Sequence, residues 1–337
     1  MVFASVLTEC RTAYNVGAKL DEALKAALKE DVSTVKEEPP IATMPIFASP
    51  YMHQIRAYNF ALRLFNKGPA VAILADMGTG KSLMTIAITG RLYHLSKVQK
   101  LLVIAPKSIV GVWEAEFGKF ADFDYLLTVL DGDSGKKAAA IKQMQGDALQ
   151  VIVVNYESCW RLEREIAKWN PDMIVCDESS KIKNPQAIQS KSLHRLGKAA
   201  KHRMILTGTP VINNPLDLFS QYKFLDEKIL GASYYSFRAK YAIMGGYGNY
   251  QVIGYRNMSD LVKKVHDIAF RIKIEDAVDL PEYIDDIRAL TLEPEAHLIY
   301  DGIDRDSYAE LIAGGEITTR NVLTRLLRLS NRSSPWI

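Results

Sequence analysis

With 337 residues, 48% hydrophobic and 24% charged, the chain has an ordinary globular composition and is long enough for one large α/β domain plus part of another. Its net charge of +3, from 42 basic and 39 acidic side chains, is too small to argue for nucleic acid by itself, so any DNA reading has to come from motifs. Cys10, Cys159 and Cys176 are few, odd in number and without C-x-x-C or histidine pairing, so neither a disulfide framework nor a zinc site is suggested, and neither a leader pattern nor an apolar run near the ~20 residues that span a bilayer is found, so a reducing, cytoplasmic setting is expected.

In chain order, AKLDEALKAALKE at 18 to 30 has helical apolar spacing and leads into the proline-bearing linker DVSTVKEEPPIATMP, so residues 1–44 read as a small helix on a linker. From Pro45, short apolar runs alternate with helix-length amphipathic segments: AVAILA at 70 to 75, LLVIAP at 101 to 106, QVIVVN at 150 to 155, DMIVCD at 172 to 177 and RMILTG at 203 to 208. Such runs are what strands buried on both faces look like, and their alternation with helices predicts an α/β, doubly wound parallel sheet over residues 45–226 with ligands at the strands' carboxyl ends. Each run is followed at once by polar sequence there: MGTGKS, PKS, YES, ESS or TGTP. Residues 227–283, aromatic and glycine-rich and then helix-like from Ser259 to Ile274, read as an insertion outside the sheet. Residues 284–337 open a further unit, with strand-like IRALTL and the helix NVLTRLLRL, whose apolar positions form one stripe.

The strongest chemical signal is ADMGTGKS, Ala75 to Ser82, after an apolar run and before the helix-compatible LMTIAITGRLYHL. Glycines there let backbone N–H groups turn toward phosphate oxygens, and the helix N-terminus adds its positive end, so the backbone from Met77 through Gly78, Thr79, Gly80, Lys81 and Ser82 to Leu83 reads as a nucleotide cradle. Lys81 would reach the β- and γ-phosphates and the Ser82 hydroxyl would coordinate Mg²⁺. Ala75 departs from the first glycine of the general pattern. The competing reading is a glycine-rich turn with a solvated lysine. At the end of another apolar run, Asp177 would hold Mg²⁺ and Glu178 would orient and deprotonate the attacking water, against the bland alternative of solvated surface charge.

On these residues the chain resembles the Swi/Snf-type DNA-translocating ATPases of helicase superfamily 2, over roughly residues 45–330. DESSKIKN, Asp177 to Asn184, is similar to that family's acidic box, and LTGTPVINNPLDLFSQYKFL, Leu206 to Leu225, to its motif III. APKSIVGVWEAEF resembles motif Ia, VVNYES motif Ib, and the 237–261 segment the protrusion of the annealing-helicase-like branch. The resemblance implies a RecA-like fold using ATP and Mg²⁺, with Gln54 at the adenine edge. It implies backbone contacts to DNA, double-stranded, at Lys107, Ser108, Asn155, Tyr156, Lys183 and Asn184, where each side chain is otherwise plain solvated surface. Thr207, Gly208 and Thr209 would couple the γ-phosphate to lobe movement, although the threonines equally suit a strand-to-helix cap. Ser180 stands where the family has histidine or glutamine, which puts that coupling in doubt.

The cluster of Tyr234, Tyr235, Phe237, Tyr241, Tyr247, Tyr250 and Tyr255 either offers base-stacking surfaces or, the favoured alternative, forms the insertion's own core. The resembled family has a second RecA-like lobe supplying an arginine finger; here only its opening is legible before NRSSPWI, which suggests a truncated product or fragment that holds ATP better than it uses it. A motor without chromatin-reading domains suggests a bacterial or phage setting, with the nucleus as the location if the source is eukaryotic. Two alternatives to a DNA translocase stay open: an RNA-acting helicase of the same superfamily, and a non-catalytic ATP-dependent module that binds DNA or a partner.

Overall fold

Alternation within the apolar runs explains why they form a sheet covered on both faces. In β1 (Ala70–Ala75), Ala70, Ala72 and Leu74 enter one core while Val71, Ile73 and Ala75 enter another. The same division holds in β2 (Lys100–Ala105), β4 (Leu149–Asn155), β5 (Met173–Asp177) and β6 (His202–Thr207). With both sets of side chains buried, period-two patterning disappears and only Val/Ile-rich runs remain. These five strands are the five runs read from the sequence.

The computed structural model describes residues 39–208, 214–246, 248 and 251–277. Outside them lie the helix expected at 18–30, Cys10, Thr209, Tyr247, Tyr250 and the segment read as a second lobe. The chain divides into two units, Met1–Leu280 and Pro281–Ile337, and all described residues belong to the first.

The strands form a seven-stranded sheet in the order β3-β4-β2-β5-β6-β1-β9, with every neighbouring pair parallel. Helices α1 (Met52–Phe65), α2 (Lys81–His94) and α3 (Val112–Phe120) cover one face through Tyr58, Met84, Ile88, Trp113 and Phe117. The other face is covered by α4 (Ser134–Gln143), α5 (Tyr156–Arg161), α6 (Glu163–Trp169), α7 (Ile188–Ala199) and α8 (Leu218–Leu225). No described helix is long and apolar enough to cross a membrane.

Two strands differ from the sequence reading. β3 (Tyr125–Val129), which the sequence reading did not include, is an edge strand with four partly buried side chains and an exposed Leu126. The second difference corrects the expectation that residues 227–283 stay outside the sheet. After α9 (Glu227–Leu230), α10 (Tyr234–Tyr241), the antiparallel pair β7 (Ala242–Gly245) and β8 (Gln251–Tyr255), and α11 (Met258–His266), the strand β9 (Ala269–Ile272) joins the edge of β1. The helix expected through Ile274 ends at His266, and the short α12 (Ile274–Ala277) follows the strand. In the insertion, Phe237 and Tyr241 are buried and pack with Phe219 and Tyr234, whereas Tyr235 is exposed. The aromatic cluster thus forms a local core through its described buried members.

Burial also sets an acid response. His194 and His202 are held neutral, their pKa values pushed down to about 4, chiefly by burial. Unfolded histidines bind protons near pH 6.5, so as pH falls from there toward 4 the unfolded chain takes up protons that the folded chain refuses, and stability is lost. Asp177 works the other way: burial pushes its pKa up to about 6, so the folded state gains a proton before the unfolded one. Two histidines oppose one carboxyl, and thermal melts should show Tm falling between pH 6.5 and 4, with His202→Gln flattening the slope.

Candidate nucleotide site

Three strand ends build the site. β1 ends at Ala75, and a turn leads into α2 at Lys81. Gly78 and Gly80 take φ values of 84° and 86°, in the left-handed region that glycine alone enters freely. Gly80 is constrained twice, since an added Cβ would lie 2.4 Å from Gln54 Nε2. Ala75 needs no glycine because it remains in the strand, paired with Ile272, where extended backbone accepts a methyl group. The Lys81 ammonium donates to the carbonyls of Ala75 at 2.9 Å and Asp76 at 3.1 Å, so it sits over the loop's concave side. Ser82 follows in the first turn of α2, Leu83 is buried beneath it, and Met77 is exposed.

The loop is held from outside by α1. Gln54 Nε2 donates to the Thr79 carbonyl at 3.2 Å, and His53 Nε2 lies 2.8 Å from the same oxygen. Gln54 Oε1 meanwhile accepts from the Tyr51 amide at 3.0 Å. Gln54 is therefore a buried brace of the phosphate loop, and His53 shares that work without any signal in the sequence. Thr79 Oγ1 donates to the Asp76 carbonyl at 2.8 Å. On the far side, the Asp76 amide donates to Ile272 O at 3.2 Å and the Asp76 carboxylate accepts from the Ile274 amide at 3.1 Å. Sequence reading missed Asp76 because its partner strand, β9, was assigned elsewhere.

These contacts make Gly80→Ala a stringent change. A non-glycine residue in left-handed backbone costs on the order of 1–2 kcal/mol, and the clash with Gln54 adds to it. Nucleotide affinity should fall by at least about tenfold, with a Gly80→Ala/Gln54→Ala double variant recovering part of the loss in a fluorescent-nucleotide titration.

At the end of β5, Asp177 is buried. Its Oδ2 accepts from the Trp113 indole at 3.1 Å, and its backbone carbonyl accepts from the Tyr156 hydroxyl at 2.7 Å. Burial raises the acid's pKa, the Trp113 N–H opposes that rise, the neighbouring Glu178 adds to it, and Lys81 opposes it. The Lys81 influence places the two chemical signals in one electrostatic neighbourhood. Glu178 adopts a left-handed φ of 51°, unusual for a side chain with a Cβ, and accepts a long 3.4 Å hydrogen bond from Thr207 Oγ1. Thr207 is fully buried at the end of β6, and a Cβ on Gly208 would come within 3.4 Å of the Ala75 carbonyl. Three separate motifs therefore meet here. Next to them, Ser179 Oγ donates to Gln221 Oε1 at 2.7 Å, tying the acidic box to α8, while Ser180 is partly exposed.

The residues expected at DNA fall along the same carboxyl end of the sheet, with one correction. Lys107 and Ser108 are exposed on the turn after β2. The Asn155 side chain caps α5 by accepting from the Ser158 amide at 2.7 Å. Asn184 is exposed and accepts from the Gln186 amide, and Lys183 lies 3.8 Å from the Asp217 carboxylate. Tyr156 is 2% exposed, so its side chain is not a DNA contact: a phenol with a buried hydroxyl seeks an internal partner, and it has found Asp177.

A model of the SNF2-related domain matches residues 53–333. The chain belongs to the SNF2-related family. It is 34% identical over 176 residues to the ISWI chromatin-remodeling complex ATPase ISW1 of Saccharomyces cerevisiae, covering 51% of this chain and 15% of that protein. It is 30% identical over 174 residues to the DNA repair and recombination protein RAD54-like of Drosophila persimilis, covering 48% of this chain and 22% of that protein. Among solved structures, the Sulfolobus solfataricus SWI2/SNF2 ATPase core in complex with dsDNA is similar, with a TM-score of 0.59 and 26% identity over 88% of this chain and 60% of that one. This SNF2-related chain thus spans under a quarter of those two curated relatives and about three-fifths of the archaeal core. The relatives named are eukaryotic and archaeal, and none points to a phage.

Proposed function

We propose that this chain is the ATP-binding lobe of a DNA-dependent ATPase that moves along duplex DNA together with a second RecA-like lobe. The observation that carries the proposal is the convergence of Lys81, the Asp177–Glu178 pair and Thr207 at the carboxyl ends of β1, β5 and β6 in an SNF2-related sheet. The relatives described as ATPases support the chemistry, and the archaeal core bound to dsDNA supports the nucleic acid.

In this reading the loop amides from Met77 to Leu83 and the Lys81 ammonium bind the triphosphate. Ser82 and Asp177 would hold Mg²⁺. Among the described residues no group of three or more His, Cys, Asp or Glu converges as a metal cage, and one hydroxyl with one carboxylate suits a hard cation shared with phosphate oxygens. Mg²⁺ bound by these two residues would supply positive charge against the triphosphate. Glu178, the more exposed carboxylate, orients and deprotonates the attacking water, with Thr207 steadying its second oxygen. Lys107, Ser108, Asn155, Lys183 and Asn184 lie along one end of the sheet, as contacts that follow a phosphate backbone require.

The test is MgATP turnover alone, with duplex DNA and with single-stranded RNA. Stimulation by duplex DNA is expected. Stimulation by RNA alone would move the chain to the RNA-acting reading, and intact MgATP binding without turnover would favour a nucleotide-dependent binding module.

A further inference from the structure

Asp177 receives two buried hydrogen bonds, one from behind the exposed turn after β2 and one from the partly exposed junction where β4 passes into α5 at the carboxyl end of the sheet. Trp113 lies in the first turn of α3. That helix continues from the turn carrying Lys107 and Ser108, which is closed by Ile109 N to Pro106 O at 3.0 Å and Val112 N to Ile109 O at 3.1 Å. Tyr156 opens α5, next to Asn155, whose side chain caps that helix. The two donors approach one residue from different strands: the indole bonds the carboxylate and the phenol bonds the backbone carbonyl. Trp113 and Tyr156 are each 2% exposed, so both bonds are made in the interior and neither helix can shift without moving a donor at Asp177.

We infer that Trp113 and Tyr156 are positioning residues that couple the exposed turn after β2 and the β4–α5 junction at Asn155 to the Asp177 carboxylate, so that duplex DNA held there sets the geometry of the Mg²⁺–nucleotide site. The inference rests on the function proposed above and adds its regulation. Burial alone accounts for a tryptophan and a tyrosine in a core, but not for the convergence of their only polar atoms on the same acidic residue. Both side chains are buried away from the surface that nucleotide and DNA would share. Their effect passes through Asp177: the indole engages Oδ2 and so orients the carboxylate and its other oxygen, while the phenol holds the backbone that carries it.

The experiment measures binding of a non-hydrolysable ATP analogue to the full chain, with Mg²⁺ or with EDTA, and with or without a blunt duplex of mixed sequence. The variants are Tyr156→Phe, which deletes one oxygen, and Trp113→Phe; thermal melts verify their folding. For the unaltered chain, DNA should tighten the Mg²⁺-dependent affinity within the roughly 5- to 150-fold range usual for coupled sites, and each variant should reduce the ratio to below about twofold. Affinity in EDTA should not change. A folded Tyr156→Phe variant that keeps the full DNA-dependent ratio overturns the relay, as does a variant whose affinities fall equally in all four conditions. Independent binding of nucleotide and DNA to the unaltered chain overturns the relay alone. Loss of binding to either one sinks the functional proposal with it.

Discussion

Glu178→Gln should lower the MgATP hydrolysis rate constant by about 10²- to 10⁴-fold, the contribution expected of a positioned general base, while leaving nucleotide affinity unchanged. The amide keeps the shape of the carboxylate and can still accept from Thr207 Oγ1, so the 3.4 Å contact survives while the capacity to take a proton is lost. Glu178 is half-buried and already occupies left-handed backbone, and an isosteric replacement adds no strain there. Asp177 is the poorer candidate for the base because both its carboxylate and its carbonyl are engaged by buried donors. Single-turnover hydrolysis with saturating duplex DNA, beside equilibrium nucleotide binding, checks the assignment. A rate within severalfold of the unaltered chain would remove Glu178 from this role.

Lys81→Ala should weaken nucleotide triphosphate binding by about ten- to a hundredfold, which corresponds to losing a charge-assisted hydrogen bond of roughly 1.5–3 kcal/mol. The fold should withstand the change. Lys81 is partly exposed, and its two partners are backbone carbonyls at the loop mouth that water can satisfy in its place. The loss should be larger for the triphosphate than for the monophosphate, because the ammonium acts on the terminal phosphates. A fluorescent-nucleotide titration with a parallel thermal melt distinguishes a lost phosphate contact from a damaged loop. If affinity is unchanged with Tm intact, the loop from Ala75 to Ser82 is not a phosphate site.

The resemblance to the Swi/Snf-type ATPases extended to the SNF2-related domain match over residues 53–333 and to a sheet in which every neighbouring pair is parallel. The motif residues, however, differ in what their side chains do. Tyr156 was read as facing DNA and instead donates inward. Gln54 braces the phosphate loop through Thr79, using an amide that the motif reading directed at adenine.

The sequence by itself determined five of the seven strands of the described sheet and the glycine turn that follows β1. Both are local properties: a strand buried on two faces must be apolar throughout, and a left-handed turn before a helix requires glycine at Gly78 and Gly80. The acidic pair was visible for the same reason, as charge placed at the end of such a strand. Tertiary structure alone decided what surrounds them. Trp113 meets Asp177 across 64 positions, Gln54 meets Thr79 across 25, and Ile274 meets Asp76 across 198. Packing of non-adjacent strands brings these donors and acceptors together, and burial then makes each bond obligatory, so the pairing leaves no periodicity or local pattern in either segment. The same holds for β9, whose four residues are too short to read as a strand until β1 offers them an edge.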